Sequence, residues 1–73
     1  MHIIVKDMKG TEKMLTIIKS NTIAQGKTKL GHELGRVWKY EGNILDNNKK
    51  FEDYEIDEGE TIIATNKVIG PGQ

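Results

Sequence analysis

Ile3 and Val5 alternate with His2, Ile4 and Lys6. A period of two predicts a strand. Lys13, Leu15 and Ile17 alternate with Met14, Thr16 and Ile18, which predicts the return strand. Between them, Lys9-Gly10-Thr11 reads as a turn, and Gly10 supplies the positive φ of a bulged hairpin connection. The period then changes. Ile23, Leu30 and Leu34 fall on one helical face. Thr22-Ile23-Ala24-Gln25 has the spacing of a capping box, in which the threonine hydroxyl and the glutamine side chain satisfy each other's backbone. Gly26 lies on the same face. It costs a helix about 1 kcal/mol relative to alanine, so its presence predicts close approach to the sheet. Gly31 and Gly35 are both candidate C-caps.

Beyond the helix, Arg36–Tyr40 reads as a third strand with Trp38 and Tyr40 on one face. Gly42-Asn43 reads as a turn, and Ile44-Leu45 as a short strand at most. Asp46–Lys50 is a polar loop, and Phe51–Ile56 an acidic stretch anchored by Phe51, Tyr54 and Ile56. Thr61–Thr65 is rich in β-branched residues and reads as the last strand. It is apolar on both faces, so it belongs in the middle of a sheet, beside the first strand. A hairpin, a helix and two or three further strands make an α+β unit with the helix packed across one sheet face. The expected core joins Ile23, Leu30 and Leu34 to Ile3, Val5, Leu15, Ile17, Trp38, Leu45, Ile56 and Ile62. Residues 1–67 form the expected domain and 68–73 a flexible glycine-proline tail.

Composition narrows the chemistry. The chain has 73 residues and no cysteine, so a disulfide scaffold, a thiolate metal site and a cysteine nucleophile are all excluded. No apolar run approaches the length of a membrane span, and Met1–Lys6 lacks the basic and apolar regions of a signal peptide. A cytoplasmic compartment is the expectation. Lys+Arg and Asp+Glu both number 11. Zero net charge argues against a nucleic-acid partner, because phosphate neutralisation needs an excess of bases. The zero conceals a split. Residues 1–40 hold eight bases and three acids, while residues 41–73 hold three bases and eight acids.

The residue pattern resembles the ubiquitin family. Met1, Ile3, Val5, Lys6, Gly10, Leu15, Ser20, Thr22, Ile23, Lys27, Lys29 and Gly35 match it without a gap. After a loop shorter than the family's, Gly42, Leu45, Asp53, Tyr54, Ile56 and Thr61 match again. Phe51-x-Asp53-Tyr54-x-Ile56 resembles the family's loop ahead of its last strand, where the tyrosine hydroxyl ties the loop to backbone. The resemblance implies a β-grasp, ubiquitin-like fold, no enzymatic activity and no cofactor or metal. It implies work through protein partners, either an activating and conjugating enzyme pair or an acidic receptor surface.

Two departures limit what carries over. The positions of the family's recognition patch hold Met8, Lys39, Ile63 and Thr65. Lys39 puts a charge where the family has an apolar anchor. With Ile4, Lys6 and Met14 these residues form a displaced candidate patch, in which Lys6 and Lys39 flank Ile63. The tail ends Gly70-Pro71-Gly72-Gln73 rather than Gly-Gly, so Gly70 and Gly72 are the candidate attachment points. Lys6, Lys27 and Lys29 match the family's acceptor positions, and Lys27 is expected half-buried, pairing from the helix to an acid. Two other readings stay open: a β-grasp sulfur carrier using a terminal glycine thiocarboxylate, and a splicing-type modifier that never conjugates. Asp53-x-Glu55-x-Asp57 starts like a calcium loop, but its glycine arrives late, at Gly59, and Ala64 stands where such a loop needs glutamate. His2, His32 and Ser20 have no triad or zinc-helix spacing.

Overall fold

A computed structural model describes residues 1–31 and 35–65. The chain folds as β1 (His2–Lys6), β2 (Glu12–Thr16), α1 (Ile23–Lys29), β3 (Val37–Tyr40), β4 (Asn43–Ile44) and β5 (Thr61–Thr65), with a 3-10 helix at Phe51–Tyr54. One mixed sheet runs in the order β2-β1-β5-β3-β4. The last strand is central and parallel to the first, with Val5 beside Ile62. This is the β-grasp arrangement: an α+β fold with one helix on one side of the sheet. Leu34, the tail with Gly70 and Gly72, and Lys67 lie outside the described residues.

Local chemistry sets the elements. Asp7 closes the β1–β2 turn: its Oδ1 accepts from the backbone N–H of Lys9 and Thr11, each at 2.9 Å. The capping box at α1 is complete, with Gln25 N–H donating to Thr22 Oγ1 at 3.1 Å and Thr22 N–H donating to Gln25 Oε1 at 2.8 Å. Of the two candidate C-caps the first is used: the helix ends at Leu30 and Gly31 follows with φ +103°.

The β3–β4 connection differs from expectation. Glu41 and Gly42, not Gly42 and Asn43, are its two central residues, and both have positive φ. A two-residue hairpin turn of this kind matches the twist of its strands. It pairs Tyr40 with Asn43 and Lys39 with Ile44, so the short strand is Asn43–Ile44. Leu45 then turns inward, its N–H donating to the Trp38 carbonyl at 2.8 Å.

The core lies between the sheet and α1. Trp38, Phe51, Ile3, Ile17, Ile23, Ile56 and Ile62 are fully buried. Val5, Leu15, Leu45, Ala64 and Tyr40 complete it, with Leu30 and Tyr54 packed at its margin. Phe51 explains Gly26. A Cβ on Gly26 would stand 2.6 Å from Phe51 Cζ and 3.5 Å from Leu15 Cδ2. The close approach is therefore chiefly to the ring from the 3-10 helix rather than to the sheet. Tyr54 holds that helix in place, since its hydroxyl accepts from Asp46 N–H at 2.8 Å. This is the tie between tyrosine and backbone that the resemblance implies.

Candidate functional site

The pleat sends alternate residues to opposite sides of a strand. Ile3, Val5, Leu15, Trp38, Ile62 and Ala64 face the helix, so their neighbours face outward. The strand register arranges those neighbours in a row. Glu12 stands opposite Lys6, Lys6 beside Ile63, Ile63 opposite Lys39, and Lys39 opposite Ile44. With adjacent strands about 4.8 Å apart, the two lysines lie roughly 10 Å apart across Ile63. A second row sets Met14 opposite Ile4 and Ile4 beside Thr61.

Five residues of the candidate patch thus share the outer face: Ile4, Lys6, Met14, Lys39 and Ile63. Ile63 is 40% exposed and Met14 69%. Lys6 and Lys39 are half-buried, as expected when long aliphatic stems lie along a sheet. Thr65 has the outward parity of Ile63, but its hydroxyl donates to the Val37 carbonyl at 3.3 Å. Met8 stands apart from the rows, in the β1–β2 turn, beside Asp7, Lys9 and Arg36. It is exposed, but it contributes to the tip of the hairpin rather than to the face.

Glu12 and Ile44 belong to the row and were not singled out from sequence. Ile44 is 60% exposed. Its outward position follows from the register, which sets it opposite the outward-facing Lys39. Glu12 tempers the expected basicity of the face, because it sits directly across from Lys6.

The candidate acceptor lysines differ sharply in access. Lys27 is buried. Its ammonium donates to the Arg36 carbonyl at 2.7 Å and to Asn47 Oδ1 at 2.6 Å, and lies 5.8 Å from the Trp38 ring centroid. The expectation of a half-buried lysine is corrected in its depth, since the side chain is almost wholly buried. Lys29 is exposed and donates to the Thr16 carbonyl at 3.3 Å.

Two carboxylates fasten the ends of β1. Asp7 is held below the usual aspartate range, first by the Thr11 backbone N–H and further by that of Lys9. Glu58 accepts from His2 N–H at 3.0 Å, and this bond is the main reason its carboxyl sits below the ordinary value. Tyr40 donates its hydroxyl to Glu60, which pushes the phenol up to about 12. The acidic segment also borders an open cleft lined by Lys19, Glu52, Glu55, Ile56 and Asp57. Among the described residues no three histidine or acidic side chains converge to hold a metal ion. Among them, too, no helix is long and apolar enough to cross a membrane. No protein-family model matches the chain, and no curated protein matches it.

Proposed function

We propose that the chain is a ubiquitin-like protein that works by being recognised, either as a protein tag or as a non-covalent binding module in a cytoplasmic setting. The observation that carries this reading is the outer row, in which Lys6 and Lys39 flank the exposed side chain of Ile63. A solvent-facing aliphatic group between two ammonium groups suits a partner that offers an apolar contact bordered by carboxylates. The aliphatic contact supplies area removed from water. The lysines speed encounter and fix orientation more than they add affinity.

Ile63→Glu tests the surface. It puts a carboxylate at the centre of the row and repels the acidic partner. Binding to the partner recovered with the wild-type chain is expected to be lost, and the wild-type interaction is expected to weaken with added salt. Retention of every partner by the variant would sink the reading. The intact mass in native cells separates tag from binding module. Loss of Gln73 together with high-mass adducts supports conjugation through Gly72. A chain found only at full length excludes the tag.

A further inference from the structure

Sulfur in this chain is confined to methionine. There are three methionines and no cysteine. No thiol therefore competes for a two-electron oxidant such as a peroxide, and oxidation at sulfur falls on the thioethers. Their settings differ. Met1 is half-buried against the core, and its ammonium donates to the Ile17 carbonyl at 2.8 Å. Met8 and Met14 are each 69% exposed. Met8 sits in the β1–β2 turn and borders a cleft with Asp7, Lys9 and Arg36. Met14 lies on the outer face, opposite Ile4. Two equally accessible thioethers thus differ in what they sit beside.

Met14 stands two strands and two residues away from Ile63. Strand spacing and rise put their Cα atoms about 12 Å apart. A protein partner of ordinary size covers about 800 Å², a disc about 16 Å in radius. A partner centred on Ile63 therefore reaches over Ile4 to Met14.

We infer that Met14 is a redox-modifiable contact of the outer face: a peroxide converts its thioether to the sulfoxide, and the partner then binds more weakly. The inference rests on the recognition role proposed for that face. In the step, a sulfur lone pair attacks one peroxide oxygen, the O–O bond breaks and an S–O bond forms. Sulfur loses two electrons, and the second oxygen leaves as water. The reverse step needs two thiols, which become a disulfide while the oxygen departs as water. The chain has no thiol, so that reductant comes from outside. The sulfoxide places an acceptor oxygen where the partner would meet hydrocarbon, and covering it without a donor weakens binding. The side chain already faces water in the free chain, so the fold itself is left unchanged.

The test uses the full chain, hydrogen peroxide, and the partner that immobilised wild-type chain retains and Ile63→Glu does not. Met8→Leu keeps Met14 as the exposed thioether, and Met14→Leu keeps Met8. Intact mass and peptide mapping count the oxygen gained at each site. Affinity is compared within each variant, before and after peroxide. Oxidation is expected to weaken binding about tenfold in Met8→Leu and no more than about twofold in Met14→Leu. Bound partner is expected to slow oxidation of Met14 about tenfold in the wild-type chain, by covering it. The unfolding midpoint of Met8→Leu is expected to be the same before and after peroxide. Equal losses in the two variants, or none in Met8→Leu, overturn the inference and leave the recognition reading standing. A midpoint lowered by peroxide overturns it too, because lost fold would then account for lost binding. If no partner distinguishes the wild-type chain from Ile63→Glu, the recognition reading fails, and this inference fails with it.

Discussion

Ile62 and Ile63 carry the same side chain one residue apart, yet they belong to different regions. Ile62 is fully buried against the helix layer, and Ile63 is 40% exposed between two lysines. The inner layer is continuous hydrocarbon closed by Trp38 and Phe51. The outer face alternates acid, base and aliphatic group across the strands. Identity of the residue therefore says little about its role, and the side of the pleat decides it.

Exchanging each isoleucine for glutamate breaks the comparison open. Ile62→Glu buries an unpaired carboxylate, a change that costs on the order of 3–5 kcal/mol. A domain of this length has about 4–11 kcal/mol of stability in total, so denaturant unfolding is expected to show most of it lost. Ile63→Glu sets a carboxylate between Lys6 and Lys39, where opposite cross-strand charges contribute roughly 0.2–1 kcal/mol each. Its midpoint is expected to stay within about 0.5 kcal/mol of the parent. Equal damage from the two variants would mean that the outer row is structural rather than free for recognition.

Gly26→Ala probes how tightly the inner layer is closed. Helix propensity alone favours alanine by about 1 kcal/mol. Against this, the new methyl would stand 2.6 Å from Phe51 Cζ. Phe51 is fully buried and held between α1 and the sheet, so the ring has little room to yield. Overpacking is expected to win, with a net destabilisation of about 1–3 kcal/mol. Phe51→Leu in the Gly26→Ala background is expected to cost less than Phe51→Leu alone, and a double-mutant cycle measures that coupling. An additive cycle would show that the glycine is not there for the ring.

The inner layer was legible in the sequence because burial imposes period. Ile3, Val5, Leu15, Ile17, Trp38, Ile56 and Ile62 stood out by alternation or anchoring, and all are buried. The capping box was legible because two side chains at fixed spacing serve it. The outer face was legible only where strands are long. Lys6, Ile63 and Lys39 fall on strands whose parity several residues define. Ile44 escaped because its partner in the row, Lys39 rather than Glu41, is set by a two-residue turn with positive φ at a glutamate, a conformation that residue type does not advertise. Lys27 escaped for another reason. Two of its acceptors, the Arg36 carbonyl and Asn47, are far along the chain, and one of them is backbone.

Tyr54→Phe tests the margin between the two regions. The phenylalanine keeps the ring packed against the core and removes only the acceptor for Asp46 N–H. A loss of about 0.5–1.5 kcal/mol is expected, the ordinary net value of one hydrogen bond. Faster amide exchange at Asp46, with core amides unchanged, would place the damage in the loop. A loss well above this range would mean that the hydroxyl organises the whole acidic segment rather than one amide.

The smallest effect expected is that of acid. Asp7 and Glu58 have folded-state values below those of the free side chains. Each therefore binds its proton less readily when folded, and the stability this contributes is present above the ordinary carboxylate range. It fades as pH falls through that range toward the folded values. Asp7 anchors the turn after β1, and Glu58 anchors the start of β1 through His2, so acid is expected to loosen both ends of one strand while the inner layer stays closed. Tyr40 carries the opposite sign. Its phenol is raised to about 12, so stability is full below pH about 10, the free tyrosine value, and falls as pH climbs from there. Asp7→Asn and Glu58→Gln should each flatten the acid limb of a stability–pH profile without moving the alkaline one, and Tyr40→Phe should do the reverse. An acid limb that survives both substitutions would show that neither carboxylate sets it.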